Sequence, residues 1–145
     1  ESFEYNADGV IIRSRIYSVS SNGDIKNVTK TYLYSGQNLS RIDIKTDFSV
    51  DTNYFNMYHY KDTTTYGYEE FNNYDSGENP YKMMFIIDEL RNRAISANNY
   101  ADYHLENNEL NGSSITYNSK EISNHNSSGF PTRVGYLELV YECDD

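Results

Sequence analysis

The stretch Phe3-Glu4-Tyr5-Asn6-Ala7-Asp8-Gly9-Val10-Ile11-Ile12-Arg13-Ser14-Arg15-Ile16 decides the fold class. An aromatic run meets a polar turn and returns as a β-branched run, which is the pattern of a β-hairpin. Gly9 supplies the positive φ that the loop needs. Pairing Tyr5 with Val10 sets Phe3 opposite Ile12. Side chains alternate along a strand, so this register gathers Phe3, Tyr5, Val10, Ile12 and Ile16 on one face.

The same unit recurs down the chain. Val28 to Tyr34 turns through Ser35-Gly36-Gln37 and returns as Asn38 to Ile44. A three-residue loop places Val28, Tyr32, Tyr34, Ile42 and Ile44 on one face, with Leu39 on the other unless a bulge re-aims it. A third hairpin joins Tyr54–Tyr60 to Tyr66–Phe71 through Lys61–Thr65. Pairing Tyr60 with Tyr66 also pairs Tyr58 with Tyr68, a cross-strand tyrosine ladder, and sets Phe55 against Phe71. Each such aromatic pair adds about 0.5–1 kcal/mol to a sheet.

After a polar loop at residues 72–78 the pattern changes. Asn79-Pro80 reads as an N-cap followed by proline at the first helical position. Met83, Ile86, Ile87, Leu90 and Ala94 follow at helical spacing. Ala97-Asn98-Asn99 closes that segment. Tyr100–Leu105 and Ser114–Tyr117 read as strands around an Asn111-Gly112 turn. A polar stretch and Gly129-Phe130-Pro131-Thr132 lead to a last strand from Arg133 to Cys143, bent at Gly135. The spacing is too irregular for a solenoid. The expectation is an all-β protein: a strongly curved antiparallel meander of about 8–10 strands, an open or partial barrel. It carries one short helix near residues 80–94 and forms a single β domain over residues 1–145.

Composition agrees. The chain has 16 Tyr, 6 Phe and no Trp, and its hydrophobic fraction is 37%. Tyrosine packs its ring while its hydroxyl reaches water, so it suits a thin core. The net charge of −10 repels phosphate backbones and anionic lipid surfaces, which argues against nucleic acid and membrane-surface partners. Cys143 is the only cysteine, so an intramolecular disulfide and a Cys-based metal set are excluded. No run of 18 apolar residues marks a transmembrane helix.

Catalytic signatures are missing from the pattern. His59, His104 and His125 stand in no metal-binding arrangement, and no nucleophile elbow or P-loop is present. Glu69 and Glu70 are strand neighbours, so they point to opposite faces. Residues 73–78 lack the ligand spacing of a calcium loop and read as a turn. The Met83-Met84 pair reads as core filler. No catalytic residue, metal site or cofactor is expected. Two features carry functional weight. Rigid tyrosines at Tyr58, Tyr60, Tyr66 and Tyr68 suit stacking on a glycan or peptide, the competing role being core filling. Asp62-Thr63-Thr64 matches a short O-glycosylation acceptor pattern at Thr63.

The repeated tyrosine-turn-aliphatic unit, Asn79-Pro80, Ala97-Asn98-Asn99 and the closing Tyr117…Gly129-Phe130-Pro131-Thr132…Tyr141 resemble a family of uncharacterised exported Bacteroidetes lipoproteins. That family is described as having a porin-like, barrel-like antiparallel fold. The hairpins are also similar to the tyrosine-aspartate repeats of Rhs-type shell proteins. The resemblance implies a signal peptide and lipid-attached cysteine upstream of Glu1, with anchoring at the outer membrane, in the periplasm or at the cell surface. It carries no functional residues, because the family has no assigned activity. The hairpin strands read as shorter than the 9–11 residues of a membrane barrel and are interrupted by Asn, Ser and Lys, so a water-soluble sheet is expected. The functional expectation is a non-catalytic binding or scaffold module with a glycan or protein partner. The alternatives are a secreted carboxylate-dependent hydrolase and an outer-membrane barrel.

Overall fold

A computed structural model of the chain describes residues 1–21, 23–49, 62–77, 79, 91–108, 112–120, 123–127, 131–134 and 137–138. Its strands are β1 (Ser2–Tyr5), β2 (Ile11–Val19), β3 (Ile25–Ser35), β4 (Asn38–Ser49), β5 (Thr63–Tyr74), β6 (Tyr100–Asn108), β7 (Ser114–Lys120), β8 (Ser123–His125), β9 (Pro131–Val134) and β10 (Leu137–Glu138). One helical turn, α1, covers Arg91–Ala94. β1 to β7 form one seven-stranded sheet in chain order, and β10-β9-β8 form a second sheet. The fold is an antiparallel meander, as the hairpin pattern predicts. Among the described residues β1 and β7 are the two ends of the large sheet, which does not close into a barrel.

The turns follow local chemistry. The Asn6 side chain accepts from the N–H groups of Asp8 (3.0 Å) and Val10 (2.9 Å), while Gly9 N–H donates to Asn6 O at 3.1 Å. Gly9 holds φ +77°, as the sequence predicts. The β2–β3 turn repeats this design, with Ser20 bonded to Asp24 and Gly23 N–H donating to Ser20 O at 3.1 Å.

The chain falls into two compact units. The first comprises Glu1–Leu33, Arg41–Glu69 and Leu105–Tyr117; the second comprises Tyr34–Ser40, Glu70–His104 and Asn118–Asp145. In the first, Ile11, Tyr32 and Ile42 are buried together with Ser14 and Thr46. The Ser14 and Tyr32 hydroxyls lie 3.1 Å apart, so each buried oxygen has a partner. Fully burying a side chain such as Ile42 contributes about 1.5–3 kcal/mol. Glu69 is buried as well, with its carboxylate 3.8 Å from Lys30 Nζ.

In the second unit the core is Leu39, Phe71, Ala94 and Tyr100. Phe71 stands edge-on to Tyr100 at 4.9 Å and tilted to Tyr103 at 5.4 Å, and Tyr74 meets Tyr100 edge-on at 6.2 Å. Such pairs add about 0.5–1.5 kcal/mol each beyond area burial. Leu39 is held by its backbone too: its N–H donates to Ser96 Oγ at 3.1 Å and its carbonyl accepts the Tyr74 hydroxyl.

Several expectations need correction. The first hairpin does not pair Tyr5 with Val10. Its register is Phe3↔Ser14, Glu4↔Arg13 and Tyr5↔Ile11, with a bulge at Ile12. The extra residue turns Ile11 inward and leaves Ile12, Val10 and Tyr5 exposed. The second hairpin turns on two residues, Gly36 and Gln37, instead of three, and Leu39 is fully buried. β5 begins at Thr63, so part of the segment read as a loop is strand. The polar stretch before Gly129 contains β8, and the closing segment is no single bent strand: β9 and β10 run antiparallel, with Leu137 opposite Val134. β2 to β6 are 9, 11, 12, 12 and 9 residues long, not shorter than membrane strands. The reading of a helix over residues 80–90, the Met83-Met84 pair, the strand at 54–60 with Phe55, and Cys143 lie outside the described residues.

Candidate functional site

Strand alternation in the first unit sends one set of residues to the core and the other to a polar face. On β2 that face carries Arg13 and Arg15, two residues apart. Both reach Glu4 on β1: Arg13 Nη1 to Oε2 at 3.0 Å and Arg15 Nη2 to Oε1 at 2.9 Å. On β4 it carries Arg41, Asp43, Lys45 and Asp47 in strict alternation. Arg41 Nε donates to Asp43 Oδ1 at 2.6 Å, and Lys45 Nζ to Asp47 Oδ2 at 2.8 Å. Thr64 Oγ1 also donates to Asp47, at 2.6 Å. The hydrogen bonds from Lys45 and then Thr64 hold the Asp47 carboxyl below its ordinary value, and the bond to Asp47 raises Lys45 above its own.

β5 adds Tyr66 and Tyr68, again two residues apart. The Arg41 guanidinium lies 4.0 Å from the centroid of the Tyr68 ring, a cation–π contact. The Tyr68 hydroxyl donates to Glu106 Oε2 on β6 at 2.9 Å, which fixes the ring. The Tyr66 carbonyl accepts from Asn108 Nδ2 on β6 at 2.9 Å. The Tyr66 side chain is 62% exposed. Between the two tyrosines, Gly67 lets β6 come close: a Cβ there would stand 2.7 Å from the Glu106 carbonyl oxygen. These strands bound a cleft of about 650 Å³, lined among others by Arg13, Arg15, Arg41, Tyr66, Tyr68 and Glu106. That volume falls within the range of small-ligand sites.

The second unit holds a different polar cluster. The Asp75 carboxylate accepts from the N–H groups of Gly77 and Asn99, each at 3.1 Å, and from Asn99 Nδ2 at 3.1 Å. His125 Nε2 lies 2.9 Å from Asp75 Oδ2. Asn79 Nδ2 donates to Ser96 O at 2.7 Å, Asn98 Nδ2 to Gly77 O at 2.8 Å, and Asn38 Oδ1 accepts from Asn98 N–H at 2.9 Å. These bonds satisfy loop backbone that would otherwise be buried unpaired. The cluster therefore serves architecture.

Of the tyrosines singled out from sequence, Tyr66 and Tyr68 meet at the cleft. Tyr58 and Tyr60, and with them the ladder, lie outside the described residues. Thr63 is the first residue of β5 and is half-buried beside exposed Asp62. Asn79 bonds the Ser96 carbonyl; residues 80–90 of the helix it is read to cap lie outside the described residues. Of the stretch read as a polar loop, residues 72–74 instead close β5, and only residues 75–77 bend away from it, the Asp75 carboxylate accepting from Gly77 N–H. His104 Nδ1 meets Asn118 Oδ1 at 2.6 Å, and His125 ends β8 instead of lying in a loop; His59 lies outside the described residues. No group of three His, Cys, Asp or Glu suited to a metal occurs among the described residues. Sequence reasoning missed Arg13, Arg15, Arg41 and Lys45. Their signal was legible as charges at every second position of β4, alternating with Ile42, Ile44 and Thr46, and of β2, on either side of Ser14.

Comparison with protein-family models, with curated proteins and with solved structures gives no match for this chain.

Proposed function

We propose that this chain is a non-catalytic binding module, exported and held at the outer membrane or cell surface, that takes a glycan or protein ligand in the cleft of its first unit. The observation that carries the reading is Tyr66: a large aromatic ring, 62% exposed, on a strand at a cleft wall. Tyrosine immobilised on a strand adds contact area at little entropic cost. Beside it, Tyr68 and Arg41 are already fixed by the cation–π contact and by Glu106, so the surface is organised before a ligand arrives. Asp43 and Glu106, the cleft's carboxylates among the described residues, are each engaged by a neighbour, which favours binding over acid–base chemistry.

The test is a glycan microarray and a displayed peptide library probed with the wild type and with a Tyr66→Ala/Arg41→Ala double variant. Binding to defined glycans or peptides, lost in the double variant, is the expected result. Equal binding by both proteins, or release of products from labelled polysaccharides, overturns the reading. Fractionation of cells that express the natural gene tests export.

A further inference from the structure

The ionic make-up of the cleft narrows its ligand. The chain as a whole carries −10. The polar face of the first unit does not share that excess. Among the described residues its cations are Arg13, Arg15, Arg41 and Lys45. The carboxylates bonded to them or lining the same cleft are Glu4, Asp43, Asp47 and Glu106. The two sets balance. Each cation stands within 3.0 Å of a carboxylate on its own or the adjacent strand.

This balance disfavours ionic ligands of either sign. An anion gains an arginine only by competing with the carboxylate that already holds it, and it approaches through the field of an acidic protein. A cation meets the converse competition. A neutral ligand rich in hydroxyls faces neither cost. Each hydroxyl donates and accepts, a guanidinium offers five donors in a fixed fork, and a carboxylate offers about four acceptor sites. The charged side chains remain open to such contacts: Arg15 and Asp43 are 59% and 50% exposed. Along β4 donor and acceptor alternate at a step of about 6.6 Å. A peptide would need a free strand edge or apolar pockets, whereas this cleft is lined by the face of a sheet and by charged and hydroxyl side chains. The exposed Tyr66 ring offers the flat apolar surface that the C–H face of a pyranose covers.

We therefore infer that the ligand is a neutral saccharide, stacked on Tyr66 and held by hydrogen bonds to the Arg–carboxylate pairs of β2 and β4. This rests on the binding-module reading above. The test is a microarray of neutral, uronate-bearing and sulfated glycans together with a displayed peptide library. Calorimetry on the best-bound neutral oligosaccharide then compares wild type, Tyr66→Phe, Tyr66→Ala and Arg41→Ala, all checked for folding by circular dichroism. Neutral glycans bind, Tyr66→Ala lowers affinity by about tenfold or more, and Tyr66→Phe stays within about twofold of wild type. Affinity changes by less than about twofold between roughly 50 and 500 mM NaCl, because no net charge is neutralised. Binding confined to acidic glycans or to peptides, or a loss of about tenfold with salt, overturns the neutral class and leaves the binding module standing. Neutral-glycan binding that neither Tyr66→Ala nor Arg41→Ala weakens overturns the cleft as the site, and no binding to any probe overturns both readings.

Discussion

Replacing Gly67 with alanine puts the close approach of β5 and β6 to a quantitative test. A Cβ at residue 67 would lie 2.7 Å from the Glu106 carbonyl oxygen, 2.7 Å from Asn107 Oδ1 and 3.0 Å from Asn107 Cα. Ordinary contact begins near 3.4 Å, so about 0.7 Å of clearance must be found. The Asn107 amide can swing aside. The carbonyl and Cα belong to the backbone of β6, and they move only if the ladder opens. Overpacking of this kind costs about 1–3 kcal/mol. Restricting the unfolded chain returns about 0.4–1 kcal/mol, which leaves a net loss centred on about 1.3 kcal/mol. Equilibrium urea unfolding, followed by far-ultraviolet circular dichroism because the chain has no tryptophan, measures it. The midpoint falls while the slope stays unchanged. In an Asn107→Ala background most of the cost persists, since the carbonyl is still there. A Gly67→Ala variant within about 0.5 kcal/mol of wild type, or one fully rescued by Asn107→Ala, refutes the backbone clash.

Further outcomes follow from other sites. Leu39→Ala empties a fully buried position in the second unit and lowers stability by about 2–5 kcal/mol in the same unfolding assay. Asp75→Asn keeps one acceptor oxygen but turns an amide toward the Asn99 side-chain amide and His125, at a cost of about 1–3 kcal/mol, and it speeds hydrogen exchange at the Asn99 side-chain amide. Asp47 titrates below 3.8 because its ionised form is hydrogen-bonded in the fold. Its pairing is therefore complete above its unfolded value and is lost only as pH falls through the lowered one. Carboxyl NMR shows Thr64→Val moving that midpoint back upward, and an unchanged midpoint would remove Thr64 as a cause.

The meander was readable because its evidence is local. Gly9 and Gly36 mark turns, and alternation on either side of them gives strands that pair in chain order. Registers were less readable. The ladder between β1 and β2 depends on whether Ile11 or Ile12 turns inward, and two consecutive isoleucines carry no pattern that chooses. The β2–β3 turn was overlooked although Asn22-Gly23 is a strong turn dipeptide. The Asp75–Asn99 cluster was out of reach for another reason. Its partners are separated by 24 residues, and Asn38 and Asn98 by 60, so only the folded chain brings them together. The cleft lay between these cases. Arg41-x-Asp43-x-Lys45-x-Asp47 and Tyr66-x-Tyr68 state which face is polar, but not that the two strands share one hollow.

The bulge at Ile12 has a consequence for how this chain tolerates changes in length. Glu4 opposes Arg13 and Tyr5 opposes Ile11, so Ile12 is a residue the ladder does without. Deleting it would join Ile11 directly to Arg13 with inward and outward positions still alternating. The pairing of Arg13–Val19 with β3 would keep its register. A gap of one residue in an alignment here, or a single-residue insertion that restores it, thus marks a neutral variation in strand length, and relatives that differ at this point can share every buried position.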